Sequence, residues 1–289
     1  MELTITDQLA ALAHPNRLDL FRLLMRRFPD FVPAGEISRS LDLKANTAST
    51  YLGHLRQAGL ISQQRQGASL RYQANVEAMT ALMGTLLGGC CQNRPDVCLA
   101  AQPQGDVTMS KQVPFNVLFI CTGNSARSIL AEAILNQLGN GKFRAFSAGA
   151  TPGNGPRPEV LSLLTAKGYD TSYLSSQSID EFADLAPDMD FVFTVCDHAA
   201  NEVCPTLPGQ PMSAHWGLPD PASVEGTEAE KNLAFQQTYG LLLNRLKAFV
   251  ALPFETLDKM SLQHQLDDIG RAKPGPDTTT HSLNTPLTD

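Results

Sequence analysis

The chain has 289 residues, 43% apolar and 18% charged, with a formal net charge of −7. That is enough apolar material for packed cores. It excludes a wholly disordered or fibrous chain, and at roughly 150 residues per domain it predicts two domains. The charge is uneven: residues 1–100 carry 10 Lys and Arg against 8 Asp and Glu, and residues 101–289 carry 12 against 21. This asymmetry puts any anionic polymer partner on the N-terminal side. No apolar run approaches the roughly 18 residues of a membrane span, and the first residues lack a basic and then apolar leader. The expected compartment is therefore the cytoplasm, with no membrane association. The six cysteines are read as thiols for soft-metal or redox chemistry, not as a disulfide framework.

In chain order, residues 4–28 show helical spacing broken at His14-Pro15-Asn16, with Pro15 suited to the first turn of a new helix. Residues 34–41 and 45–58 read as two short helices, the second stopped by Gly59. Residues 60–65 and 70–73 flank the Gly turn Gln66-Gly67-Ala68-Ser69, a hairpin signal. A further helix covers about 75–88. Residues 99–113 lack periodicity and read as a linker. Beyond it come a buried strand at 116–120, a helix at 127–138, strands at 143–147 and 190–195, and helices at 158–168, 229–251 and 256–270. Strands alternating with helices imply a parallel α/β sheet. The tail from Arg271 onward is rich in Pro, Thr and Asp and is expected to be disordered. The predicted organisation is thus a mainly α N-terminal domain at 1–98, a linker at 99–113, an α/β domain at 114–270 and a tail at 271–289.

Two short helices and a hairpin fit a winged helix-turn-helix, which places a helix in the major groove and a hairpin against the DNA backbone. The polar face of 45–58 offers Asn46, Thr47, Ser49, Thr50 and His54 for base edges or phosphates, and Arg65 and Arg71 suit phosphates. The strings Ala13-His14-Pro15-Asn16-Arg17-Leu18, Ala45 to Leu55 and Gly59-Leu60-Ile61 resemble winged-helix repressors of the ArsR type. That resemblance implies a homodimer on a pseudo-palindromic operator, released when a metal or metalloid binds. Cys90, Cys91 and Cys98 form the sensing candidate. Three thiolates within nine residues suit one trivalent arsenic or antimony ion, soft centres that favour sulfur. The pair of adjacent cysteines with no neighbouring His makes zinc less attractive. Cysteines in the first helix of the pair, used by other family members, are replaced here by Glu36-Ile37-Ser38-Arg39.

In the second half, Val117 to Ile120 predicts a strand that delivers Cys121 to its C-terminal end. The loop Thr122-Gly123-Asn124-Ser125-Ala126 then offers backbone N–H groups for a tetrahedral oxyanion. Arg127 suits bidentate capture of the anion, and Ser128 suits a hydrogen bond to the sulfur. That positive potential predicts a lowered pKa and a nucleophilic role for Cys121. The stretch resembles the low-molecular-weight protein tyrosine phosphatase fold, and more closely its arsenate reductase branch. Ser147-Ala148-Gly149, Thr194-Val195-Cys196-Asp197 and His215 to Ala222 carry the rest of the resemblance. It implies that Asp220 is the acid for the leaving oxygen. Two departures point away from phosphotyrosine: Ala126 stands where many relatives carry a second loop cysteine, and Ala222 where phosphatases usually have an aromatic residue.

Reduction of arsenate takes two electrons, so a second thiol must close a disulfide on Cys121. Cys196 is the expected attacker, and Cys204 the thiol that passes the disulfide on. On an ideal helix these two lie about 12 Å apart along the axis, whereas a disulfide needs Cα atoms within roughly 7 Å, so a helical segment here must unwind on oxidation. Seven residues separate Cys196 from Cys204, where relatives with a three-cysteine relay have six, which leaves thioredoxin and a glutaredoxin or small-thiol system open as donors. The combined expectation is an arsenite-responsive repressor fused to an arsenate reductase. No tightly bound cofactor is expected, and the arsenite made by the second domain is the inducer of the first. The alternative is a DNA-binding regulator fused to a phosphatase.

Overall fold

The computed structural model describes residues 5–90, 114–184, 187–202 and 211–272. Two separate apolar cores organise them. The first is built from residues Ala11 to Leu82 and centres on Leu20, Leu23, Leu24, Ile37, Leu52 and Leu55. Its elements are α1 (Ile5–Leu12), α2 (Pro15–Arg26), β1 (Val32–Pro33), α3 (Ala34–Ser40), α4 (Ala45–Gln57), β2 (Ile61–Gln66), β3 (Ser69–Ala74) and α5 (Val76–Thr85). Pro15 occupies the first turn of α2, where its missing N–H costs nothing. Gly67 takes φ +60° in the two-residue connection between β2 and β3. The sheet is antiparallel, in the order β1-β3-β2. Asn75 caps α5 through its side chain. A π-turn, Leu86–Cys90, then continues the chain where the spacing predicts helix to residue 88.

The second core holds β4 (Phe115–Cys121), α6 (Arg127–Leu138), β5 (Phe143–Gly149), α7 (Pro158–Ala166), α8 (Asp180–Asp184), β6 (Phe191–Thr194), α9 (Asp197–Asn201), β7 (Met212–His215), a 3-10 turn (Pro221–Ser223), α10 (Glu228–Val250) and α11 (Lys259–Arg271). Its four strands are all parallel, in the order β5-β4-β6-β7. This is the expected sheet, and the run Phe115 to Cys121 is buried almost throughout, as a central parallel strand requires. Phe115, Phe143, Phe191, Phe193, Phe249 and Phe254 pack ring against ring at centroid distances of 5.1–6.2 Å. Trp216 stacks on Phe193 at 4.0 Å. Burying each such ring contributes roughly 1.5–3 kcal/mol. α10 starts at a capping box between Thr227 and Glu230. β1, β7, α8 and α9 are additional to the elements that the sequence pattern predicts. No helix among the described residues is long and apolar enough to cross a membrane.

Candidate active site

β4 ends at Cys121, and its carbonyls continue into a ring. The oxygens of Cys121, Thr122, Gly123 and Ser125 accept from the N–H groups of Ala150, Thr151, Gly153 and Arg157. The Asn124 oxygen accepts from Ser176 Oγ, and that of Ala126 accepts from Leu130 inside α6. In a trans peptide the C=O and the following N–H point in opposite directions. Carbonyls turned outward from 121 to 126 therefore turn the N–H groups of 122 to 127 toward the ring centre, onto the N-terminus of α6. This is an anion cradle of backbone dipoles. The Asn124 N–H already reaches Cys121 Sγ at 3.2 Å.

The loop conformation is held from below. Asn124 is fully buried with φ 45°, a left-handed backbone that Asn tolerates better than most residues. Its amide donates to Ser128 Oγ and Ser147 Oγ, and its side-chain oxygen accepts from the Gln177 N–H. Ser147 Oγ in turn donates to the buried Glu132 at 2.6 Å. Burial pushes the Glu132 carboxyl up to about 7, against a smaller downward pull from Ser147. At Gly149 an added Cβ would lie 2.7 Å from the Thr122 carbonyl oxygen, so only glycine lets β5 approach the loop this closely.

Cys121 and Cys196 are both buried free thiols. They line one cavity of about 510 Å³ together with Arg127, Arg157, Asp197, Asp220 and Ala222. Ser128 Oγ lies 3.0 Å from Cys121 Sγ, and Thr122 Oγ1 lies 3.4 Å from Cys196 Sγ. Burial raises the Cys121 pKa. Ser128 and Arg127 pull it down and Cys196 pushes it further up, with a net upward shift. This corrects the lowered value expected from the loop alone: desolvation of a residue only 3% exposed outweighs the cradle's positive potential. Arg127, the first residue of α6, donates to the Leu218 carbonyl at 3.0 Å and to Asp220 Oδ2 at 2.9 Å. Asp220 also caps the 3-10 turn through the Ala222 N–H.

Cys196 is the N-cap of α9, accepting from the Ala199 N–H at 3.4 Å. Next to it, Asp197 pairs with His215 Nε2 at 3.2 Å, whose other ring nitrogen meets Thr194 Oγ1 at 2.8 Å. The hydrogen bond with His215, ahead of the opposing effect of burial, holds the Asp197 carboxyl below its usual range. Burial pulls His215 down, but its bonds to Asp197 and Asp30 outweigh this and raise it.

The structure thus brings together Cys121, Thr122, Gly123, Asn124, Ser125, Ala126, Arg127, Ser128, Cys196 and Asp220. Cys204, Cys91 and Cys98 lie outside the described residues, and Cys90 closes the π-turn after α5. Asn46, Ser49, Thr50 and His54 are exposed on α4 and Thr47 is half-buried. Thr50 bonds back to the Asn46 carbonyl, and His54 Nδ1 lies 3.5 Å from Arg17. Arg65 is exposed on β2 and Arg71 half-buried on β3. Arg157, Asp197 and His215 were missed as site residues. Arg157 stands in a Gly- and Pro-rich run with no periodic signal, and the other two become neighbours only through the β6–β7 pairing.

Residues 116–263 match the low molecular weight phosphotyrosine protein phosphatase family, and the chain belongs to that family. Among its relatives is an arsenate reductase of Halalkalibacterium halodurans, 36% identical over 141 residues, which are 49% of this chain and 96% of the relative. The arsenate reductase of Bacillus subtilis is 38% identical over 133 residues, 46% of this chain and 93% of the relative. A crystal structure of an arsenate reductase from Archaeoglobus fulgidus is 27% identical, covers 47% of this chain and 99% of its own, and has a TM-score of 0.39.

Proposed function

We propose that residues 114–270 form an arsenate reductase that converts As(V) to As(III) by thiol chemistry. In this reading residues 1–98 form a DNA-binding repressor that responds to the product. One observation carries the enzymatic reading: two buried thiols, Cys121 and Cys196, face a single oxyanion cavity. Ester hydrolysis needs one sulfur and returns it unchanged. Reduction needs two, and the relatives named arsenate reductase agree with that choice.

Arsenate enters the cradle and competes with Asp220 for the Arg127 guanidinium. The Cys121 proton passes to an arsenate oxygen, and the Cys121 sulfur then attacks arsenic. An S–As bond forms, an As–O bond breaks, and Asp220 protonates the departing oxygen to give water. Cys196 sulfur next attacks Cys121 sulfur. The S–S bond forms, the S–As bond breaks and its electron pair stays on arsenic, which becomes As(III), while the proton of Cys196 leaves with arsenite. Two thiols have become a disulfide. Cys204 then attacks Cys196, releasing Cys121 as a thiol and passing the disulfide to thioredoxin or to a glutaredoxin or small-thiol donor.

For the N-terminal unit, support comes from exposed polar residues along α4 beside a hairpin carrying Arg65 and Arg71, an arrangement suited to a groove and a phosphate backbone. In this reading the unit dimerises on an operator, and Cys90, Cys91 and Cys98 take arsenite. The test of the enzymatic reading is arsenate-dependent NADPH oxidation by the full chain, coupled to thioredoxin and its reductase or to a glutaredoxin system. Turnover with either supports it. Turnover with neither, alongside rapid hydrolysis of phosphotyrosine peptides, returns the reading to a phosphatase.

A further inference from the structure

The helix that carries Cys196 at its N-cap is capped at its other end by the N-terminal unit. α9 is five residues long, and so short a helix is marginal on its own. Its two terminal carbonyls, Ala200 and Asn201, accept from Arg26 at the end of α2. Nε reaches the first and Nη2 the second, each at 3.1 Å. A guanidinium at a helix C-terminus satisfies orphan carbonyls and opposes the negative end of the dipole. Beside it Arg27, 3% exposed, donates to Asn201 Oδ1 and pairs with Asp197 Oδ2, both at 3.1 Å. Asn201 Nδ2 donates to Glu36 at 3.0 Å, and Asp30 reaches His215 Nε2 at 3.4 Å. Asp30, Asp197 and His215 are spaced closely enough for a metal ion, with ligand atoms within 4.8 Å. Arg27 Nη2, however, already contacts both carboxylates, at 3.5 and 3.1 Å, and supplies the positive charge there.

We propose that Arg26 is a positioning residue for Cys196: it keeps α9 wound from the N-terminal unit, and oxidation of Cys196 loosens that docking. This rests on the reading of Cys196 as the thiol that resolves the Cys121 adduct. When Cys196 bonds to Cys121, its sulfur moves toward the cavity and no longer accepts well from the Ala199 N–H. α9 then loses its N-cap. A helix this short with one cap frays, and fraying carries Ala200 and Asn201 away from Arg26. The linkage runs both ways: a reduced thiol pair favours docking, and docking favours Cys196 in its attacking position.

The test uses the full chain with Cys90, Cys91, Cys98 and Cys204 changed to Ser, so that only Cys121 and Cys196 respond and the disulfide stays between them. Amide hydrogen exchange is followed over residues 198–202 and 22–30, in the reduced chain and after one equivalent of arsenate. Arg26→Ala, with Arg26→Lys as partial rescue, is compared for the same exchange, for competitive phosphate binding, and for single-turnover formation of the Cys121–Cys196 disulfide. Loss of the guanidinium from the helix C-terminus predicts exchange over 198–202 raised severalfold, up to about tenfold, in reduced Arg26→Ala. Disulfide formation slows by a similar factor, phosphate binding stays within about twofold, and Arg26→Lys falls between. Oxidised parent protein gains exchange in both segments. Unchanged exchange over 198–202 in reduced Arg26→Ala overturns the proposal, as does oxidised parent protein with segment 22–30 still protected. If arsenate forms no disulfide, the reductase reading fails. The capping claim is still decided, because the reduced-state comparison involves no arsenate.

Discussion

Arg127 and Asp220 form an ion pair at the cavity mouth, Nη2 to Oδ2 at 2.9 Å, so the group proposed to bind the anion already holds the group proposed to protonate it. Anion binding and acid catalysis are therefore coupled through one guanidinium, and the pair must open before the chemistry begins.

Asp220→Asn separates the two roles. It removes the proton donor and a competitor for Arg127. Phosphate, as an inert competitor, should bind as well as or better than in the parent. Turnover should fall by about 10²-fold or more. Inhibition titrations with phosphate and steady-state rates check both halves; weaker phosphate binding with unchanged turnover would contradict the assignment.

Cys121 should titrate above an ordinary thiol, because burial dominates its environment and Cys196 adds to the rise. Alkylation of Cys121 by iodoacetamide, read by mass spectrometry across pH, should have its midpoint above that of a free cysteine. Cys196→Ser should lower the midpoint and Arg127→Ala should raise it. A midpoint below neutrality in the parent would mean that the cradle outweighs desolvation.

Glu132 makes a pH-dependent contribution to stability. Its folded-state pKa of about 7 lies above the ordinary 4.5. Its contribution is therefore fully present below about pH 4.5 and is lost as pH rises through about 7. Glu132→Gln, which still accepts from Ser147, should remove this dependence. It should stabilise the chain at pH 8 by up to about 3 kcal/mol, at roughly 1.4 kcal/mol per pH unit. Denaturant melts at pH 5 and pH 8 decide it, with a gain expected at pH 8 and little change at pH 5.

The sequence made the anion loop legible because its signals are local. A buried apolar strand, a cysteine, a loop and an arginine at a helix start lie within Val117 to Ser128. The helices with clear caps and periodicity, such as α6 and α10, were legible for the same reason. β7 was not: Met212–His215 is four residues long and is defined by pairing with β6. α9 escaped because Asp197–Asn201 has no period of its own, and the Arg26 that completes it lies 174 residues away from Ala200. The proton affinity of Cys121 is not legible in its local sequence for a related reason. The cradle is written in the adjacent residues, whereas desolvation comes from the whole core around the sulfur.

For the N-terminal unit, the triple change of Cys90, Cys91 and Cys98 to Ser should leave operator binding intact and abolish its response to arsenite. Anisotropy titrations at fixed salt check this, since DNA affinity depends steeply on ionic strength. Dissociation at the parent's arsenite concentration would move the sensor to other thiols, Cys121, Cys196 and Cys204 first.

The central claim is that Cys121 and Cys196 together deliver two electrons to arsenic, and a single-turnover experiment with pre-reduced chain and no external reductant tests it most directly. With one equivalent of arsenate, and with Cys90, Cys91 and Cys98 changed to Ser so that they do not take up the product, the account predicts one As(III) released per chain and the loss of two free thiols. Cys121→Ser should do neither, and Cys196→Ser should bind the anion yet release no As(III). Stoichiometric As(III) release from Cys196→Ser, or an unchanged thiol count in the parent, would contradict it.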